Sequence, residues 1–194
     1  MTRERPSALA AFALAPGTTL RARADGGFAW RDLRLCQPWT AGPSAGSDGP
    51  HLLSVNEYRP HRLRDVVPIA RVTALLVRDL SELDGCCGVV TAYAPRGLVT
   101  YSLSIWTEEE ALRRFTLARP HREVMNAYRT RGYLRHVHWW GRFTTIGAGM
   151  AEATRRLDAG EGRRVGEPRD RWARRDQARL ARLRAAGGAE RQAA

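Results

Sequence analysis

The chain has 194 residues, enough for one domain with tails, and its 43% hydrophobic content excludes a wholly disordered protein. No apolar run reaches the roughly 18 residues that a membrane-spanning helix needs. The formal charge is +12, but residues 163–191 carry ten arginines against four acids and so supply about half of it. The basic residues are arginine, and alanine and glycine are abundant, a composition typical of a GC-rich genome. Nucleic acid is therefore not an expected partner; non-specific polyanion contact by the tail is the most that this charge implies. Cys36, Cys86 and Cys87 form neither a metal-ligand spacing nor an even disulfide set, and read as buried small hydrophobes.

Residues 1–17 read as a loose arm. Two arginines and a short alanine-rich run mimic an export leader, but Leu9, Phe12 and Leu14 make a weak apolar core for one, so a cytoplasmic protein is expected. Residues 18–35 alternate around Asp25-Gly26-Gly27, the pattern of a β-hairpin. Residues 37–50 are rich in Gly, Pro and Ser and read as a loop separating that hairpin from a domain that begins at His51. Residues 51–60 alternate as a strand. A helix follows from near Asp65 or Pro68 to before Gly85, with Ile69, Val72, Leu76, Leu80 and Leu83 at spacings of 3 and 4. A second strand occupies residues 86–93, its adjacent cysteines pointing to opposite faces.

In the third strand Val99, Tyr101, Leu103 and Ile105 alternate with Thr100, Ser102, Ser104 and Trp106. Thr107 with Glu108, Glu109 and Glu110 predicts a helix start with a hydroxyl cap and acid at the positive end. Ala111, Leu112, Phe115 and Leu117 or Ala118 form its stripe, and Arg119-Pro120 interrupts it. A second helical piece over 120–131 is expected to stop at Gly132, ahead of an aromatic strand over 133–143. The order β-α-β-β-α-β predicts an α+β, ferredoxin-like split βαβ domain over 51–160. Residues 1–50 form an amino-terminal extension, and 161–194 an arginine-rich helical or disordered tail. A short helix over 148–157 and a weakly amphipathic one over 169–186 are expected after the domain.

A split βαβ sheet has one face under its helices and one bare face. Assigning Leu53, Val55, Leu103 and Ile105 to the helix side leaves Ser54, Asn56, Ser102, Ser104 and Trp106 on the other. On the last strand Val137 and Trp139 share one face, and His136, His138 and Trp140 share the opposite one. Placing the histidines with the polar residues makes a surface suited to a small apolar or aromatic ligand between two subunits. His136 and His138 have strand spacing for one metal ion, but no third ligand is evident, so no metal is expected.

His121, where the helix restarts, is the sharper candidate, as an acid or base near neutral pH or as a haem ligand. Arg122 beside it suits a propionate or another anion. The plainer readings are that His121 braces the kink, that Arg122 is solvated, and that the tryptophans are core.

Residues 102–125, followed by the Trp-containing last strand, resemble the spheroidene-monooxygenase-like group of the dimeric α+β barrel superfamily. Its strand ending in Ser-x-Trp, acidic helix start, Phe and Pro-His-Arg segment match Ser104, Trp106, Phe115, His121 and Arg122 here. The antibiotic-biosynthesis-monooxygenase relatives share the element order. The resemblance covers about 51–143 and implies a homodimer whose two sheets close into a barrel around a ligand pocket. It also implies oxygen insertion into an apolar metabolite, possible haem binding through His121, Arg122 and Trp106, and otherwise no cofactor. The wider superfamily also includes cofactor-free oxygenases, haem degraders and proteins without known catalysis. The expected function is therefore a monooxygenase-like oxidoreductase, with a non-catalytic dimeric small-molecule-binding module as the alternative.

Overall fold

The third strand of the chain, β3 (His51–Pro60), is buried along its whole length except at Asn56, which is half-buried. It is hydrogen-bonded on one side to β5 (Val99–Trp106) and on the other to β6 (Gly132–Gly141). The computed structural model describes residues 19–20, 33–94 and 99–166. The expected arm over 1–17, the Asp25-Gly26-Gly27 turn, and the helix over 169–186 lie outside the described residues. Within them an antiparallel sheet runs in the order β1-β2-β4-β5-β3-β6-β7, where β1 is Thr19–Leu20, β2 Leu33–Ala41, β4 Cys86–Ala94 and β7 Arg163–Val165. The helices are α1 (Val66–Ser81), α2 (Glu109–Leu117), α3 (Arg119–Tyr128) and α4 (Ile146–Asp158). From β3 to β6 the order is β-α-β-β-α-β with the second helix broken in two, so the chain is α+β with a ferredoxin-like centre.

Two edges of the sheet extend beyond the expected four strands. β1 pairs with β2 through Thr19↔Arg34 and Leu20↔Leu33, the base of the expected hairpin. β2 then continues to Ala41 and pairs with β4, so residues 37–41 are strand rather than loop. The irregular register there, shifted between Leu35 and Gln37 and again before Thr40, hides the alternation from a sequence reading. At the other edge β7 pairs with β6, so the expected tail begins with a strand.

The helix boundaries also differ from expectation at three points. Thr107 does not cap α2; its hydroxyl bonds the Gly85 carbonyl at 3.4 Å, and Glu108 is the capping residue. The break between α2 and α3 falls at Ala118, which is extended (ψ 142°), so Arg119 opens α3 and Pro120 sits in the first turn, where no amide donor is lost. Gly132 does not end a helix. It opens β6 where the Tyr58 ring lies so close that a Cβ would stand 2.3 Å from the ring's para carbon, leaving room only for glycine.

The two faces of the sheet are reversed relative to the expectation. Leu53, Val55, Leu103, Ile105 and Val137 pack against Ile146, Met150, Ala153 and Leu157 of α4, with Trp39 and Phe143 stacked at 5.6 Å beside them. The polar face is the one under α1, α2 and α3. There Leu52, Val89 and Trp106 meet Val77, Leu80, Ala111 and Leu112, while Tyr58 meets Ile69 and Tyr128. The helices thus rest on apolar contacts at the two ends of that face and bridge the polar strip between them. The aliphatic stretch of the other face needs an apolar cover, which α4 supplies. A barrel closed by two sheets would use this aliphatic face, and α4 lies on it.

Candidate functional site

The register places the polar residues in two rows across the sheet. Thr91, Ser102, Asn56 and His136 stand side by side on β4, β5, β3 and β6, and Val89, Ser104, Ser54 and His138 form the next row. The expected union of the histidine and serine faces is therefore observed. The Asn56 amide donates to Ser102 Oγ at 3.2 Å, the Trp106 indole N–H donates to Ser104 Oγ at 2.9 Å, and Ser54 Oγ lies 3.1 Å from His136 Nε2. The His136 and His138 rings are 5.4 Å apart. Trp106 is fully buried and closes one end, whereas Trp140, on the same face, is 51% exposed and stands at the rim.

His121 approaches this strip from α3. Its Nδ1 lies 3.0 Å from the Thr116 carbonyl, an acceptor only, so Nδ1 carries a proton. In the neutral ring Nε2 then holds the lone pair. The break at Ala118 makes this possible, because the end of α2 leaves the Thr116 carbonyl to the side chain of the helix that follows. The ring packs on Phe115 at 4.8 Å, and Phe115 packs on Trp106 at 5.9 Å. Burial holds His121 below the ordinary histidine range, and the Thr116 carbonyl opposes this only in part. Arg122 is exposed one residue further on and is not brought into the strip.

Burial pushes His136 down to about 4, reinforced by the charges of His138, Arg163 and His121 around it. Because the folded state holds His136 neutral while the unfolded chain titrates near 6.5, stability is full above that pH and falls as pH drops towards 4. We expect a loss of about 2 kcal/mol between pH 6.5 and 4.5, at about 1.4 kcal/mol per unit, read from urea midpoints. His136→Gln should flatten this slope; an unchanged slope would place its origin elsewhere.

Sequence reasoning grouped Ser54, Asn56, Ser102, Ser104 and Trp106 with His136, His138 and Trp140 on one face, but by placing the helices over the other face it gave no ground for bringing His121 to them. It missed the role of Thr116, a backbone carbonyl without a sequence signal, and the placement of Thr91, which depends on the β4–β5 register. It also missed the ion cluster on the opposite face. Arg135 grips Glu57 with two bonds of 2.9 and 2.8 Å and reaches Asp158 at 3.0 Å, while Arg59 Nε adds a bond to Glu57 at 2.7 Å.

Among the described residues no group of three His, Cys, Asp or Glu side chains could hold a metal ion. The residues do not fit haem. The surface that would meet a porphyrin is a row of hydroxyl and amide groups bonded to one another, and Phe115 lies against the His121 ring. A porphyrin needs an open apolar slot there. Among the described residues no helix is long and apolar enough to cross a membrane.

No family model matches the chain, and no curated protein matches it. Solved structures do resemble it. SnoaB, a cofactor-independent oxygenase from Streptomyces nogalater, is 16% identical, with 50% of this chain and 99% of SnoaB aligned at a TM-score of 0.42. A candidate antibiotic biosynthesis monooxygenase from Deinococcus radiodurans is 10% identical over 49% of this chain and 97% of its own, at a TM-score of 0.42. A candidate monooxygenase from Fusobacterium nucleatum is 7% identical over 47% of this chain, at a TM-score of 0.43, and the match spans 43% of that protein's length. All three likenesses are at 16% identity or less and at TM-scores below 0.5.

Proposed function

We propose that the strip between the sheet and α2–α3 is the active site of a cofactor-free, monooxygenase-type oxidoreductase acting on a small aromatic or apolar metabolite with an acidic C–H bond. The observation that carries this reading is the His121 tautomer. A half-buried imidazole with Nδ1 bonded to a carbonyl, held neutral by burial, presents Nε2 as a base at neutral pH. Abstraction of the C–H proton leaves a conjugated carbanion able to reduce oxygen directly. An activated CH2 and O2 become a C=O and water; the carbon loses four electrons, dioxygen gains four, and no other reductant is needed. Phe115, backed by the buried Trp106, walls the apolar part of the substrate. Asn56, Ser102, Ser104, His136 and His138 receive its hydroxyl or carbonyl groups, with Trp140 at the rim. Arg122, exposed beside His121, meets an anionic substituent at the entrance. A cytoplasmic homodimer belongs to the same reading, joined outside the aliphatic face that α4 covers or by exchange of α4 between copies.

The test is oxygen uptake with anthrone as the probe substrate. His121→Asn should lower kcat by roughly 10²–10⁴, the contribution of a general base, while anthrone still binds. Full activity in His121→Asn would remove this residue from the chemistry. Saturable anthrone binding without oxygen consumption by the wild type would instead favour a non-catalytic binding module, with thermal stabilisation following ligand concentration.

A further inference from the structure

The far end of α3 borders a second site with different chemistry. A cleft of about 430 Å³ opens between the β3–α1 connection and the α3–β6 turn, lined by His61, Arg62, Arg64, Asp65, Thr130 and Arg131. The two segments are stitched by the His61 amide, which donates to the Arg131 carbonyl at 2.7 Å. From His121 to Tyr128 α3 rises about 10 Å, so the cleft is distinct from the histidine strip.

Three arginines and one aspartate line this cleft, an excess of two positive charges before His61 is counted. Arg113, Arg114, Arg119, Arg155 and Arg156 each have a carboxylate within 3.1 Å. Arg62, Arg64 and Arg131 are exposed, and among the described residues none has such a partner; Arg131 instead lies over the Tyr128 ring at 5.5 Å. The carbonyls that would repel an anion are engaged: Tyr128 O accepts from Arg131 N at 2.9 Å and from the Tyr58 hydroxyl at 3.3 Å. Clustered arginines without carboxylate partners are the donors that phosphate recognition uses. Asp65, 8% exposed on the same wall, cannot face the anion itself and is suited to accept a hydroxyl beside it.

We propose that this cleft binds a phosphate ester of a small hydroxylated molecule. Arg62, Arg64 and Arg131 hold the phosphate, and Asp65 takes a neighbouring hydroxyl. The probes are ribose 5-phosphate and inorganic phosphate, titrated into the full chain by calorimetry. Ribose 5-phosphate should bind saturably at one per chain and at least tenfold more tightly than inorganic phosphate. Arg64→Gln and Arg131→Gln should each weaken it at least tenfold, while Arg155→Gln, which removes the same charge from α4, should leave it unchanged. Arg64 is exposed and makes no described contact, so Arg64→Gln decides the matter should Arg131→Gln fail to fold. Absence of saturable binding, or equal weakening by Arg155→Gln, would overturn the site, because the attraction would then belong to the overall charge. Equal affinity for the two probes would overturn the role of Asp65.

Discussion

Glu57→Ala should cost about 3–5 kcal/mol, the loss expected when one partner of a buried ion cluster is removed. Glu57 has no exposed surface, and Arg59 and Arg135 are each 5% exposed. Burial alone would push the Glu57 carboxyl up, but the charges of Arg59 and Arg135 and their hydrogen bonds hold it below the usual range. The variant removes the carboxylate that Arg59 and Arg135 share and leaves the buried Arg135 guanidinium beside Asp158. Against a typical domain stability of roughly 5–15 kcal/mol, such a loss should leave little folded protein at moderate urea. Because the folded carboxyl titrates below its unfolded value of 4.5, this contribution is present above that pH and is lost on further acidification. It therefore lies below the window in which His136 acts, and the two are separable in one pH series. A cost under about 1 kcal/mol would mean that water reaches the cluster and screens it.

The second large effect is expected from Trp106→Ala, at about 3–5 kcal/mol. The indole is fully buried among Leu52, Val89, Ala111 and Leu112, and it spans the junction between the sheet and α2. Its removal leaves a cavity that the surrounding strands cannot close. It also removes the ring on which Phe115 rests, and through Phe115 the support of His121. Trp106→Phe should retain most of the packing. Its main loss is the indole bond to Ser104, worth about 1 kcal/mol. Denaturant midpoints for the pair, measured with anthrone-dependent oxygen uptake, separate the two roles. Similar stability loss in both variants would show that the hydrogen bond, rather than the filled volume, holds this end of the strip.

The strands and helices from β3 to β6 were legible because each carries a pattern set by local geometry. Period 2 in β3 and β5, and spacings of 3 and 4 in α1, follow from which side chains can face one way. The grouping of Asn56 and Ser102 with His136 was legible for the same reason, since alternation limits each strand to two faces. The edge strands were not. β2 is irregular in register, and β7 has only three residues, too few to display a period. The partners of Glu57 were also out of reach, because a charge within a strand pattern carries no mark of whether it will be buried and paired.

Local sequence by itself determined the element order, the break between α2 and α3, and the two-faced character of the central strands. Hydrogen-bonding geometry and side-chain alternation operate over a few residues, so these features needed no distant partner. Only the tertiary structure decided which sheet face each helix covers, because coverage depends on competition for apolar surface across the whole chain. α4 takes the face that carries Leu53, Val55, Leu103, Ile105 and Val137. α1, α2 and α3 close over the polar strip through Trp106 at one end and Tyr58 at the other, and so bring His121, through Phe115, up to the Trp106 end.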